Sequence, residues 1–232
     1  MKIIIPAYSK TYWCLEPFAY LFNKYWKNQD PVILYYSELD VKIPKNFSTF
    51  QIYYKDYPKD KWANGIIEYL KTINDETIIL LLEDYWLTRK VSSEIISILN
   101  ALAEKDKNIL RIDLTTDRLY AGGMRDIGYV EYVDLIEAPG SMYQMSLQAG
   151  LWRRDNFLDV LERLNDGERS SWGVELTGTV IVNNDLNYRV LGTRQYPVRY
   201  ENGVNVKDGV NKNLTTMIES DRNYIMRWIK DK

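Results

Sequence analysis

"IILLLEDYWLTRK", residues 78–90, decides how the chain is read. Five apolar residues, Ile78 to Leu82, run without interruption into two adjacent carboxylates, Glu83 and Asp84, and then into two aromatics. A continuous apolar run, unlike an alternating one, belongs to a strand covered on both faces. In open α/β sheets ligands sit beyond the carboxyl ends of such strands, and Glu83 and Asp84 stand at such an end.

The same pattern recurs on either side. "KIIIPAY" (2–8) reads as a buried strand stopped at Pro6, and "PVILYYS" (31–37), "TFQIYY" (49–54) and "NILRIDLT" (108–115) read as further strands. Between them, apolar residues recur at three and four: Leu15, Phe18, Phe22 and Tyr25 predict a helix over 14–28. Trp62, Ile66, Tyr69 and Ile73 mark a second helix, and Ile95, Ile98, Leu99 and Leu102 a third. Strands divided by helices predict a mostly parallel central sheet with helices on both faces, a Rossmann-like α/β domain.

After about residue 115 the rhythm changes. "RLYAGGMRDIGYVEYVDLIEAPGSMYQMSLQAGLW" (118–152) is turn-rich with no helical period, and predicts added antiparallel strands extending one sheet edge. A helix follows over about 153–164, then one beginning near Trp172 and capped by Ser170 or Ser171. The strand "YRVLG" (188–192) leads into "YPVRYENGVNVKDGVNKN" (196–213), whose Gly, Asn and Asp predict an irregular loop, and a last helix occupies about 214–230. We read one domain, 1–232, with residues 1–115 as its nucleotide-binding half and 116–232 as the half that meets an acceptor.

Composition excludes several chemistries. Among 232 residues there is no histidine, so no Ser-His-Asp or Cys-His set and no histidine base is available. Lys plus Arg (30) nearly balance Asp plus Glu (32), which announces no global field for nucleic acid or an anionic membrane. The single cysteine, Cys14, forms no internal disulfide, and the opening apolar run is too short for a signal peptide. No run approaches the ~20 apolar residues of a membrane span, so a cytoplasmic protein without stable membrane insertion is expected. The 19 Tyr and 7 Trp supply half-buried packing positions or flat surfaces for sugars and bases.

Two carboxylates emerging side by side from so apolar a strand repel each other unless something positive lies beside them. A divalent cation, Mn2+ or Mg2+, answers this, because magnesium is commonly held by one or two carboxylates together with water and substrate phosphate. Alternatively, Glu83 and Asp84 cap the following turn or pair with Arg89 and Lys90.

The strand ends "IIIPAY" and "LLLEDYWL", followed by "LQAGLWRRDNFLDVL" and "SSWGVE", resemble the nucleotide-sugar glycosyltransferases of the GT-A fold. The likeness spans most of residues 1–195 and is nearest to small bacterial and phage members. It implies transfer of a sugar from a nucleoside diphosphate donor, UDP-linked, to a hydroxyl on a glycan precursor or on a hydroxymethylated pyrimidine of phage DNA; a phage-encoded enzyme would work in the host cytoplasm. The family's acidic motif is usually Asp-x-Asp, and "EDY" departs from it, so the resemblance leaves open whether Glu83, Asp84 or both hold the metal. A late histidine that often completes the metal site is missing, and Glu201, Asn202, Asp208 or water are the substitutes. A non-catalytic sugar- or nucleotide-binding module that keeps the fold is the alternative.

The resemblance also distributes roles. Pro6, Ala7 and Tyr8 would line the base, Asp56 would meet a base or ribose group, and Lys61, at a helix start, would face phosphate. Glu175 in "WGVE" would be the base that takes the acceptor proton in an inverting transfer; its other reading is a carboxylate favourably placed in a first helical turn. Trp172, Gln148, Arg153 and Arg154 would contact the acceptor. Arg111, a charge inside the strand "ILRIDL", needs a partner, and the acidic pair would serve.

Overall fold

The computed structural model describes residues 1–52, 61–207 and 216–230. In chain order the elements are β1 (Lys2–Pro6), α1 (Leu15–Tyr25), β2 (Val32–Tyr35), β3 (Ser48–Gln51), α2 (Trp62–Leu70), β4 (Thr77–Leu80), β5 (Tyr85–Leu87), α3 (Ser93–Lys105) and β6 (Ile109–Asp113). The second half adds β7 (Arg125–Val130), β8 (Val133–Glu137), β9 (Gly150–Arg153), α4 (Arg154–Arg163), α5 (Ser171–Asn183), β10 (Arg189–Thr193), β11 (Tyr200–Asn202), α6 (Gly203–Lys207) and α7 (Glu219–Lys230).

Nine strands form one sheet in the order β3-β2-β1-β4-β9-β6-β10-β8-β7, and β9 and β8 run against the others. The expected α/β architecture is therefore present: a mostly parallel sheet, helices around it and extra antiparallel strands. Side chains alternate across the pleat. Ile3 and Ile5 enter one apolar cluster with residues of α1 and α3, while Ile4 enters a second with residues of α2, α4 and α5. Both faces are covered, which is why the strands carry continuous apolar runs.

The structure departs from expectation in three places. The hairpin β7–β8 does extend the sheet edge, but β9 does not: it inserts between β4 and β6, pairing Ile78 with Trp152 on one side and Arg111 with Trp152 on the other. All four of its residues are buried, and the indole of Trp152 lies 5.3 Å from the Arg111 guanidinium. A short strand with so much to bury is stable only inside the sheet. Secondly, β4 ends at Leu80, so the acidic pair stands in the turn that follows, closed by Tyr85 N donating to Leu82 O at 3.0 Å. Thirdly, residues 200–207 are not irregular: β11 pairs antiparallel with β5 and α6 follows. The rest of the expected loop, 208–213, lies outside the described residues.

The final helix docks on α1. Asp221 is fully buried and accepts from the Lys24 ammonium and the Tyr25 hydroxyl, and Tyr224 stacks on Tyr20 with ring centres 4.1 Å apart. No described helix is long and apolar enough to cross a membrane.

Candidate functional site

The turn after β4 gives the two carboxylates different work. Glu83 is buried and its Oε1 accepts from Tyr8 N at 2.9 Å and from the Thr11 hydroxyl, so it clamps the end of β1. Burial, and then the charge of Asp84, pushes its carboxyl up to about 7 against these two hydrogen bonds. Asp84 Oδ2 accepts from Asn202 Nδ2 at 2.7 Å, and its carbonyl from Gly203 N at 2.8 Å. Its Oδ1 is buried with no hydrogen-bond partner among the described residues. Burial raises Asp84 as well, opposed by the Asn202 bond. Arg89 and Lys90 pair with neither carboxylate.

Beside this turn the ends of β1 and β2 and the start of α2 enclose a small apolar cleft. Pro6, Ala7 and Tyr8 line it together with Tyr36, Ile52 and Trp62, and the Tyr8 and Tyr36 rings lie 6.3 Å apart. Lys61 is the N-cap residue of α2, and no described residue pairs with its ammonium. Asp56 lies outside the described residues.

A chain of contacts runs from the turn to Glu175. Tyr85, next to Asp84, stacks on Tyr200 at 4.0 Å and donates its hydroxyl to Leu147 O at 3.2 Å. The nitrogen of the same Leu147 donates to Glu175 Oε1 at 2.8 Å. Glu175 Oε2 accepts no hydrogen bond among the described residues. Burial raises the Glu175 carboxyl, the Leu147 bond and Arg111 oppose the rise, and Asp117 adds to it. Gln148 follows, donating to Asp117 Oδ1 at 3.3 Å and sharing its Oε1 with the Thr115 hydroxyl at 3.2 Å. It lines two adjoining clefts of about 460 and 670 Å³, which also share Thr116 and Tyr120.

Helix α5 delivers Glu175. Ser170 caps it by accepting from Gly173 N at 3.0 Å. Gly173 is required by packing, because a Cβ there would stand 1.9 Å from Glu168 O. Trp172 points elsewhere: it is exposed, on the outward face of α5 with Leu176 and Val180.

The structure does not bring Arg153 and Arg154 to these clefts. Arg153 pairs across the sheet with Thr77, at the opposite end of β4 from Asp84. Its guanidinium donates to Ala103 O at 2.6 Å in the last turn of α3, a position that favours a cation. Arg154 donates to Ile73 O and to Asp155. The expected partner of Arg111 also differs: it meets Asp113 at 3.4 Å, Gln148 O at 3.3 Å and the face of Trp152, not the acidic pair.

Sequence reasoning passed over the carboxylates after β6. Asp113 Oδ1 accepts from Thr115 N and its hydroxyl at 3.0 and 2.8 Å, and Oδ2 from Arg118 N at 2.6 Å. Asp117 keeps one buried oxygen without a partner among the described residues. "RIDLTTD" carries the same signal as "LLLED", a buried strand ending in acid, and the same strand-end rule finds it.

Whether a divalent cation fits is decided by these oxygens. Among the described residues no three acidic or cysteine side chains gather as a ligand set. What is present is Asp84 Oδ1, buried and unpartnered, while Glu83 Oε1 is committed to Tyr8 and Thr11. One carboxylate with water and substrate phosphate is within what magnesium accepts, so the residues fit a cation that arrives with its substrate.

No family model matches the chain, and no curated protein sequence does. Among solved structures it is similar to a cytidylyltransferase from Leptospira borgpetersenii serovar Hardjo-bovis, with TM-score 0.54 and 10% identity, covering 99% of this chain and 93% of that one. It is also similar to residues 1–349 of TarS from S. aureus, with TM-score 0.51 and 12% identity, covering 99% of this chain and 70% of that one. At such identities the likeness is one of fold, and the chain is a mixed α/β protein built on a Rossmann-like sheet.

Proposed function

We propose that this chain is a transferase that moves a sugar from a nucleoside diphosphate sugar, UDP-linked, to an acceptor hydroxyl on a glycan. The observation that carries the reading is the contact path Asp84, Tyr85, Leu147, Glu175, which links a carboxylate oxygen without a partner among the described residues to a raised, half-engaged carboxylate bonded to Leu147, the neighbour of the cleft-lining Gln148. In this reading the base stacks between Tyr8 and the cleft of β1 and β2, and Lys61 faces phosphate. Asp84 would hold a manganese or magnesium ion on the diphosphate, and the ion would supply charge neutralisation to the leaving group. The acceptor oxygen attacks the anomeric carbon, the bond from that carbon to the diphosphate oxygen breaks, and Glu175 Oε2 takes the hydroxyl proton. The donor is consumed with inversion and released as nucleoside diphosphate.

Nucleotidyl transfer, the chemistry named for the Leptospira protein, is less well supported. A triphosphate is commonly cradled by a glycine-rich loop whose amides approach the phosphates closely. Here the loop after β1 reads "AYSKTYW" and the first glycine of the chain is Gly65.

The test is a panel of nucleotide sugars with manganese or magnesium, read by released nucleoside diphosphate, with glycan acceptors and with hydroxymethylated DNA in parallel. Release of nucleoside diphosphate supports the reading. Release of pyrophosphate from a triphosphate and a sugar phosphate would replace it with nucleotidyl transfer, and binding without turnover would leave a non-catalytic module.

A further inference from the structure

We infer that the cleft of about 460 Å³ between β5, β11 and the loop after β6 is built for an oxyanion, so that the acceptor is an anionic glycan carrying a phosphate or carboxylate. The inference rests on the transferase reading for the word acceptor, and on the cleft itself for the anion.

Among the described residues, the charged ones lining this cleft are Arg89 and Arg199, and no carboxylate lines it. Among the described residues neither guanidinium has an ion pair or a hydrogen bond. Arg125, Arg163, Arg189 and Arg194, by contrast, are each matched to a carboxylate. The local excess of positive charge does not follow from composition either, since the chain carries a net charge of −2.

The two arginines are neighbours on one wall, and Arg199 is also held. Thr88 N donates to Arg199 O at 3.0 Å, so Arg89 and Arg199 come from neighbouring antiparallel segments of one wall. The Arg199 guanidinium sits 4.3 Å from the centre of the Tyr196 ring, which limits its rotamers before any ligand arrives. Thr88 and Thr116 line the same space, and their hydroxyls make no hydrogen bond among the described residues. Two guanidinium forks and two unengaged hydroxyls around one space form a cationic, donor-rich surface, which suits a phosphate or carboxylate better than a neutral polyol. Of the carboxylates around the cleft, Asp113 is engaged by Thr115 and Arg118, Asp117 accepts from Gln148 on one oxygen, and Glu201 accepts from the Thr216 hydroxyl. This cleft shares no lining residue with the apolar cleft at Tyr8, which separates the anion from the donor's base.

The experiment is an NMR titration of the full chain with three probes, glycerol 3-phosphate, glucuronate and glycerol, repeated on the double variant Arg89→Gln/Arg199→Gln and on Arg89→Lys/Arg199→Lys. One or both anions should perturb resonances around Thr88, Thr116 and Tyr200, and glycerol should not; which anion binds tighter identifies the group. The Gln variant should bind that anion at least about 10-fold more weakly, the Lys variant should fall between, and affinity for a nucleoside diphosphate should be retained in both. Equal binding of glycerol, undiminished anion binding by the Gln variant, or parallel loss of anion and nucleotide would overturn the inference. Anion binding at these residues in a protein that turns over no nucleotide sugar would sink the transferase reading and leave the anion site standing.

Discussion

Asn202 holds one oxygen of Asp84 at 2.7 Å, and the other has no partner among the described residues. The same amide's oxygen accepts from Asn205 N at 2.9 Å, so its orientation is fixed from the α6 side. Asn202 is therefore a brace for the carboxylate; a ligand role would need its oxygen. Asp84→Asn is expected to abolish manganese enhancement of nucleoside diphosphate binding, and Asn202→Ala to weaken that enhancement by ~10-fold, the range found when a partner that orients a metal ligand is removed. Calorimetry with and without manganese checks both, and undiminished enhancement in Asp84→Asn rules out the metal assignment.

Glu83 makes stability depend on pH in an unusual direction. Its folded carboxyl sits at about 7 against 4.5 for the free side chain, so the folded state keeps a proton that the unfolded chain gives up between these values. Stability from this group is greatest below about pH 4.5 and declines as pH rises through 7, by at most ~3 kcal/mol. Asp84 is raised too and acts in the same sense. Glu83→Gln, which has no proton to lose, should show a smaller drop in melting temperature between about pH 5 and about pH 8 than the parent. Identical pH profiles would show that Glu83 is not protonated by its burial.

Glu175→Gln keeps shape and the Leu147 contact but removes proton affinity. Transfer should fall by roughly 100-fold or more, with nucleotide affinity and melting temperature little changed. Glu175 lies beyond the first turn of α5, so its other role is to accept from Leu147 N; a carboxylate serving only that contact would give near-normal transfer, because glutamine accepts there too. Measured rate, affinity and melting temperature on this one variant separate the two.

Gly173→Ala tests whether the glycine of "WGVE" serves packing. A Cβ 1.9 Å from a main-chain oxygen forces α5 away from the 3₁₀ turn at Asp166–Glu168. A loss of ~1–3 kcal/mol is expected, as for other overpacked sites, together with reduced transfer because Glu175 moves with the helix. A variant as stable as the parent would mean that the turn yields freely.

Much of β1, the turn after β4 and the start of α5 was legible in sequence because the signals are local. The apolar run before Glu83, the stop at Pro6 and the Ser170 cap each depend on a few neighbouring residues, and each stands where those residues put it. The arrangement beyond Tyr85 was less legible because it is made by distant partners. Nothing near Tyr200 announces that it will stack on Tyr85, and nothing near Arg153 announces the carbonyls of α3 that absorb its charge. The placement of β9 was misread for the same reason, since "GLWR" has no local mark of an interior strand beyond its Trp.

That interior position of β9 has a consequence for how the chain comes to be folded. β4 and β6 are synthesised first, yet neither touches the other; each waits for Gly150–Arg153 to be laid between them. A nascent chain cut or stalled at residue 115 therefore leaves one edge of β4 open and β6 without either of its partners, β9 and β10, so that a foreign strand can add. Residues 1–115 are therefore not a separable module. Their completion is postponed until a distant segment emerges, which favours slow, late assembly of the whole molecule as one unit.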